Sequence, residues 1–155
     1  MKPIYASLVL CLILFSGYRV VAPKTSDCEK AAQVLEANKQ MVAEFYQDLF
    51  GNKNIESINK YIGEVYTQHN PLVADGKQAL IDATKNWFKN APKEKIDIRQ
   101  IGADGDLVFL HIRSHMGTKV VSVVDIFRIK DGKITEHWDV MQDVPEKAAN
   151  SHPMF

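Results

Sequence analysis

The sequence predicts an α+β domain, and three observations support that reading. Between about Glu29 and Phe88, apolar residues recur at the three- and four-residue spacing of helices that bury one face. Beyond Pro92, four stretches alternate apolar and polar residues, as half-buried strands do. Asp104-Gly105, Gly117-Thr118 and Asp131-Gly132 separate those stretches, and these are hairpin signals.

The first helix begins near Glu29, with Leu35, Met41, Val42, Phe45 and Leu49 on one face, and Gly51 ends it. Asn54 is a good N-cap for a short second helix through Ile55, Ile58 and Ile62, to Gly63. Residues 65–68 read as extended. Pro71 disfavours helical geometry at Asn70, so His69-Asn70-Pro71 is a fixed bend. Asp75-Gly76 turns the chain into a third helix bearing Leu80, Ala83, Trp87 and Phe88. Strands then cover 95–102, 106–116, 119–130 and 133–142.

A chain of 155 residues, 46% hydrophobic, builds one core and one domain. Lys+Arg and Asp+Glu both number 19 and no long run of one sign occurs, which argues against nucleic-acid binding through a basic face. Lys2, then an apolar stretch over residues 4–15 with no charge before Arg19, resembles a secretory signal. The stretch is short for a membrane span of about 20 residues. Val20-Val21-Ala22 is small enough for cleavage, although Pro23 follows. Residues 1–22 are therefore expected to be a signal peptide or a membrane anchor, residues 23–35 a linker and helix start, and residues 36–155 the domain. The protein is expected to be exported, periplasmic or secreted, or else anchored, with membrane contact only through an uncleaved N-terminal segment. Cleavage after Ala22 would leave 17 basic against 19 acidic residues, a charge of −2. Cys11 lies in the apolar stretch and Cys28 in the linker, so no disulfide framework is implied.

Strand alternation places His137, Asp139 and Met141 on one face, and Trp138 and Val140 on the other. On the preceding strand it groups Val123, Asp125 and Phe127 against Val124 and Ile126. The turn decides whether the two acids meet. A two-residue Asp131-Gly132 loop pairs Lys130 with Lys133 and separates them. A three-residue loop, Lys130-Asp131-Gly132, pairs Ile129 with Lys133, sets Asp125 opposite His137, and gathers Asp125, His137 and Asp139 on one face. The three-residue loop is the expectation. It leaves Val124, Ile126, Ile134, Trp138 and Val140 as an apolar patch on the other face. A homodimer through Val124, Ile126 and Trp138 is the simplest cover.

Several of these segments together carry a resemblance. Tyr66-Thr67-Gln68-His69-Asn70-Pro71, Val124-Asp125-Ile126-Phe127-Arg128, Asp131-Gly132-Lys133-Ile134 and Glu136-His137-Trp138-Asp139-Val140 look like SnoaL-like proteins, of the superfamily with the nuclear-transport-factor-2-like fold. The resemblance runs from about residue 36 to the C-terminus, and the ending Asn150 to Met154-Phe155 shares it. It implies a cone, also called cystatin-like: a curved antiparallel sheet around a pocket, packed with three N-terminal helices. The best-understood members are polyketide cyclases, which perform an intramolecular aldol condensation without metal or cofactor. Their acidic general acid/base on the last strand falls on Asp139. A pocket histidine of the cyclases aligns with Asp125 here, and that departure separates this chain from a literal cyclase.

The expected catalytic residues are thus Asp139, His137 and Asp125. A carboxylate in a dry pocket can take a proton from carbon next to a carbonyl, and a His137–Asp125 pair could orient a substrate oxygen. The expected substrate-binding residues are His69 and Asn70 at the bend, His111, Phe127, Met141 and Trp87. His137, Asp139 and Asp125 could surround a metal, but the expectation is a site with no metal and no cofactor. Neither a Gly-x-Ser-x-Gly elbow nor a phosphate-binding glycine loop occurs. The function expected is action on, or binding of, a small hydrophobic carbonyl compound by a lyase or isomerase. The alternatives are a non-catalytic binder of a small ligand and a dimeric interaction module.

Overall fold

The computed structural model describes residues 25–155. The expected signal or anchor over residues 1–22 lies outside the described residues. Helix α1 (Thr25–Tyr46) starts four residues before the expected Glu29, so Cys28 is helical and exposed rather than part of a linker. Asp27 in the first turn favours that earlier start, because a negative charge complements the helix N-terminus. Val42, Phe45 and Leu49 are buried as the spacing predicts, and Leu35 is only partly covered. Among the described residues, no helix is long and apolar enough to cross a membrane.

The end of α1 widens into a π-helical segment, Gln47–Gly51. There the Gln47 amide donates to Glu94 O at 3.0 Å and accepts from Ile96 N–H at 3.0 Å. A Cβ on Gly51 would lie 2.0 Å from the Gln47 amide nitrogen and 2.8 Å from Glu94 O. Glycine is what lets the helix end close on the start of the sheet. Helix α2 (Ser57–Tyr61) follows with Glu56, not Asn54, at its N-cap and no side-chain cap bond. Asn54 serves through its carbonyl instead, which accepts from the Ser57 hydroxyl at 2.7 Å. Ile62 and Gly63 open a strand instead of closing the helix.

That strand is β1 (Ile62–Gln68), followed by α3 (Lys77–Trp87), β2 (Asp97–Asp104), β3 (Leu107–Met116), β4 (Lys119–Lys130) and β5 (Lys133–Asp143). The sheet order is β1-β5-β4-β3-β2. β2 to β5 form the expected antiparallel meander, but β1 joins β5 in parallel. The curved, unclosed sheet is therefore mixed rather than wholly antiparallel. Its inner face packs Val108, Leu110, Ile112, Val121, Val123 and Phe127 against Val42 and Phe45 of α1 and Leu49 of the π-helical segment, with Ile58 and Leu80 in the same core.

The β4–β5 hairpin corrects the expected register. Asp131 (φ 51°) and Gly132 (φ 69°) are both left-handed, and Lys130 faces Lys133. The loop thus has two residues, the type that suits strand twist. The acids still share a face, because β5 carries one extra residue. Ile129 pairs with Ile134, yet Arg128 pairs with Glu136, so Thr135 is bulged out. The bulge resets the alternation, and Asp125 comes opposite Asp139 while Phe127 comes opposite His137. The two-residue turn pairs Ile134 with the inward Ile129, so Ile134 is 0% exposed and leaves the expected outer patch. Trp138 remains outside but is partly clothed by its own chain. The His69 ring stacks on it at 4.6 Å, and the Arg128 guanidinium lies 5.6 Å from its ring.

Candidate functional site

The polar groups of the inner face converge where β4, β5 and the end of β1 meet. Asp125 Oδ1 lies 2.9 Å from His137 Nε2. The other ring nitrogen, Nδ1, lies 2.9 Å from Gln68 Oε1. That same oxygen accepts the Asn70 backbone N–H at 3.0 Å, which fixes which end of the Gln68 amide points inward. Its nitrogen donates to the Tyr66 hydroxyl at 3.1 Å. Since Gln68 Oε1 can only accept, Nδ1 of His137 carries a proton and donates it. The Phe127 ring stacks on the imidazole at 4.8 Å and holds its plane.

Asn70 is fixed by the same logic. Its Oδ1 accepts the Leu72 backbone N–H at 2.8 Å, so its amide nitrogen is left to donate to Asp139 Oδ2 at 2.6 Å. The parallel register brings Gln68 beside His137, and alternation sends Tyr66, Gln68 and Asn70 inward. Asp125 (4% exposed), His137 and Asn70 are buried. Asp139 is partly buried, and Met141 beyond it is 42% exposed at the open end. Asp139 is therefore the carboxylate nearest to solvent.

Two tyrosines complete the cluster. Burial, then the negative charge of Asp125, pushes the Tyr46 hydroxyl well above its ordinary pKa, with Asp139 adding to the effect. Burial and the same two aspartates, in that order, also raise Tyr66. Both therefore stay protonated at working pH and present neutral hydroxyls to the acids. Asp125 Oδ2 has no hydrogen-bond partner among the described residues.

Asn70, Phe127, Asp125, His137 and Asp139 thus meet as expected, with Met141 at the rim. Three expected ligand residues do not join them. His69 faces outward, bonded to Glu136 at 2.8 Å and stacked on Trp138, because alternation along β1 into the bend gives the inward positions to its neighbours. His111 is on the outer face of β3, since Val108, Leu110 and Ile112 take the inner one. It bonds the Ser122 hydroxyl at 2.8 Å and packs near Phe155. Trp87, 48% exposed at the end of α3, lines no site. Tyr46, Tyr66 and Gln68 were not anticipated as site residues. Surface hollows of about 500 and 360 Å³ lie elsewhere, the first beside Glu44, Asp48 and Lys60, the second on the outer face beside Gln100 and His111.

On the outer face, hydrogen bonds from His69 and then Arg128 lower the Glu136 carboxyl below its ordinary value of 4.5. A depressed carboxyl stabilises the fold above its unfolded pKa, and that stabilisation is lost as pH falls through the folded one. Glu136→Gln should therefore cost about 0.5 kcal/mol at neutral pH, a small figure because water screens this rim. Urea midpoints of the two forms should converge below the carboxylate range.

Comparisons with known proteins agree with this architecture. No curated protein matches the chain significantly. Among solved structures, an LEH-like epoxide hydrolase of M. tuberculosis superposes with a TM-score of 0.56 at 19% identity, over 70% of this chain and 85% of that one. A proposed ketosteroid isomerase from Kribbella flavida gives 0.59 at 15% identity, over 75% and 85%. A proposed polyketide cyclase from Acidithiobacillus ferrooxidans gives 0.55 at 19% identity, over 68% and 87%. At such identities the likeness establishes the fold alone. The family described as the SnoaL-like domain matches residues 42–137, over half of the chain, and its match includes Tyr46, Tyr66, Gln68, Asn70, Asp125 and His137. With that match and the sheet and helices described above, the chain belongs to the SnoaL-like domain family, on a nuclear-transport-factor-2-like fold.

Proposed function

We propose that the protein performs acid/base chemistry on a small, largely apolar carbonyl compound, as a lyase or isomerase, with Asp139 as the group that takes and returns the proton. The observation that supports this most is the asymmetry of the two facing acids. Asp125 is closed off and committed to His137, whereas Asp139 is partly open and oriented through one oxygen by Asn70. An oriented carboxylate at the mouth of a buried polar cluster can remove a proton from carbon next to a carbonyl. The electron pair moves onto the carbonyl oxygen as an enolate, and Asp139 becomes the carboxylic acid. The Asn70 amide and the neutral tyrosine hydroxyls are the donors available on that face for the developing oxyanion. Return of the proton to a different carbon completes an isomerisation. Attack of the enolate carbon on a second carbonyl, with Asp139 returning its proton to the alkoxide oxygen so formed, completes an aldol closure. Fold neighbours proposed to be an isomerase and a cyclase support this reading by analogy of fold.

The reading is tested by deuterium exchange into a panel of small apolar ketones, followed by NMR. Wild-type protein should exchange the hydrogens next to the carbonyl about 100-fold faster than Asp139→Asn. Equal rates in the two proteins would sink the assignment of Asp139 as the base.

A further inference from the structure

We propose that the outer face of the sheet binds a small monocarboxylate with an apolar tail, its head at Arg113 and its tail in the hollow between β2 and β4. The hollow measures about 360 Å³, and Gln100, Gly102, Phe109, His111 and Val124 are among the residues that line it. That volume lies within the range of small-ligand sites. Gly102 keeps it open. It sits opposite Phe109 on β3, and a Cβ there would meet nothing within 4 Å. The space therefore has an apolar floor of Phe109 and Val124, with one strand position that carries no side chain. The His111 ring, held by the Ser122 hydroxyl at 2.8 Å, closes one end.

Arg113 stands on the same face two residues beyond His111, about 7 Å farther along β3. Its charge lacks an acid. Asp97, directly across from it on β2, gives its Oδ2 to Arg99 at 2.7 Å instead. Arg113 Nε is buried and has no hydrogen-bond partner among the described residues. The Phe155 ring lies 5.8 Å from both guanidiniums and 5.9 Å from the His111 ring. An aromatic face attracts a guanidinium but cannot neutralise it. Two arginines with one aspartate between them leave a single positive charge beside an apolar hollow. A carboxylate supplies that one negative charge and two acceptors, which the planar donors of arginine fit. The distance from Arg113 past His111 to the hollow asks for a tail of several carbons. This site lies on the opposite face from Asp125, His137 and Asp139, and the inference is independent of the proposed reaction.

The experiment is calorimetric titration of the full-length protein with octanoate, with octanol as the uncharged control. One equivalent of octanoate should bind, and octanol should bind about tenfold more weakly or not at all. Arg113→Gln should weaken octanoate about tenfold or more and remove the difference between the two compounds. Gly102→Leu should abolish binding. The Gly102 backbone is not left-handed and its missing Cβ faces open space, so this variant fills the hollow without straining the strand. In the wild-type protein, octanoate should shift the imidazole NMR signals of His111 and leave those of His137 in place, a readout that needs no variant to fold. The proposal is overturned if octanoate fails to bind at millimolar concentration, if Gly102→Leu binds it as wild type does, if octanol binds as tightly, or if the His137 signals shift instead. A dimer in solution scattering that Gly102→Leu turns into a monomer would assign the hollow to a second copy of the chain and overturn it as well.

Discussion

Phe127→Ala is expected to lower the free energy of unfolding by about 3–5 kcal/mol, the range for removing a buried aromatic ring. The ring is 2% exposed and joins three surfaces. It meets Phe45 edge-on at 6.0 Å and Tyr46 at 6.4 Å, which fasten α1 to the sheet. Its other face supports the His137 imidazole. Rigid strands flank it, so little can collapse into the space left behind. Chemical denaturation would measure the loss. Phe127→Leu should lose less, and Val124→Ala on the outer face less than about 1.5 kcal/mol. A loss near zero for Phe127→Ala would mean that α1 does not depend on this contact.

His137→Ala should be about as damaging, at about 3–5 kcal/mol, for a different reason. Removing the imidazole leaves Asp125 buried with both oxygens bare and leaves Gln68 Oε1 short of one donor. Most of the cost is therefore the stranded acid rather than the lost attraction. Asp125→Ala combined with His137→Ala removes that acid as well. The double variant should be less destabilised than the sum of the singles, by about 1–3 kcal/mol. Strict additivity in denaturation curves would show that the two side chains are not coupled.

Much of the fold was legible from residue patterns. The period of α1 and the Gly-containing turns located the helices and the four-strand meander, because burial on one face imposes those periods directly. The parallel pairing of β1 was not legible, since it depends on a contact between segments about 70 residues apart. Within the site, Asp125, His137, Asp139 and Asn70 followed from alternation and family resemblance. His69 and His111 misled because histidine chemistry outweighed pattern. The apolar triplet Val108, Leu110 and Ile112 already assigned His111 to the opposite face, and the run Tyr66, Gln68, Asn70 did the same for His69. Tyr46, next to Phe45, read as core. A tyrosine rather than a phenylalanine at such a position was the available signal, since a buried hydroxyl needs something polar nearby.

The single bulged residue at Thr135 makes the last strand a device that counts. Deleting one residue between Gly132 and Glu136 would not merely shorten a connection. It would exchange the two sides of everything that follows, sending Trp138 and Val140 toward the helices and His137 and Asp139 into water. Side chains at Lys133 and Thr135 can therefore vary more readily than the buried Ile134, whereas an odd change in residue number there reverses the faces. In this hairpin, chain length is inherited under the same constraint as the acids themselves.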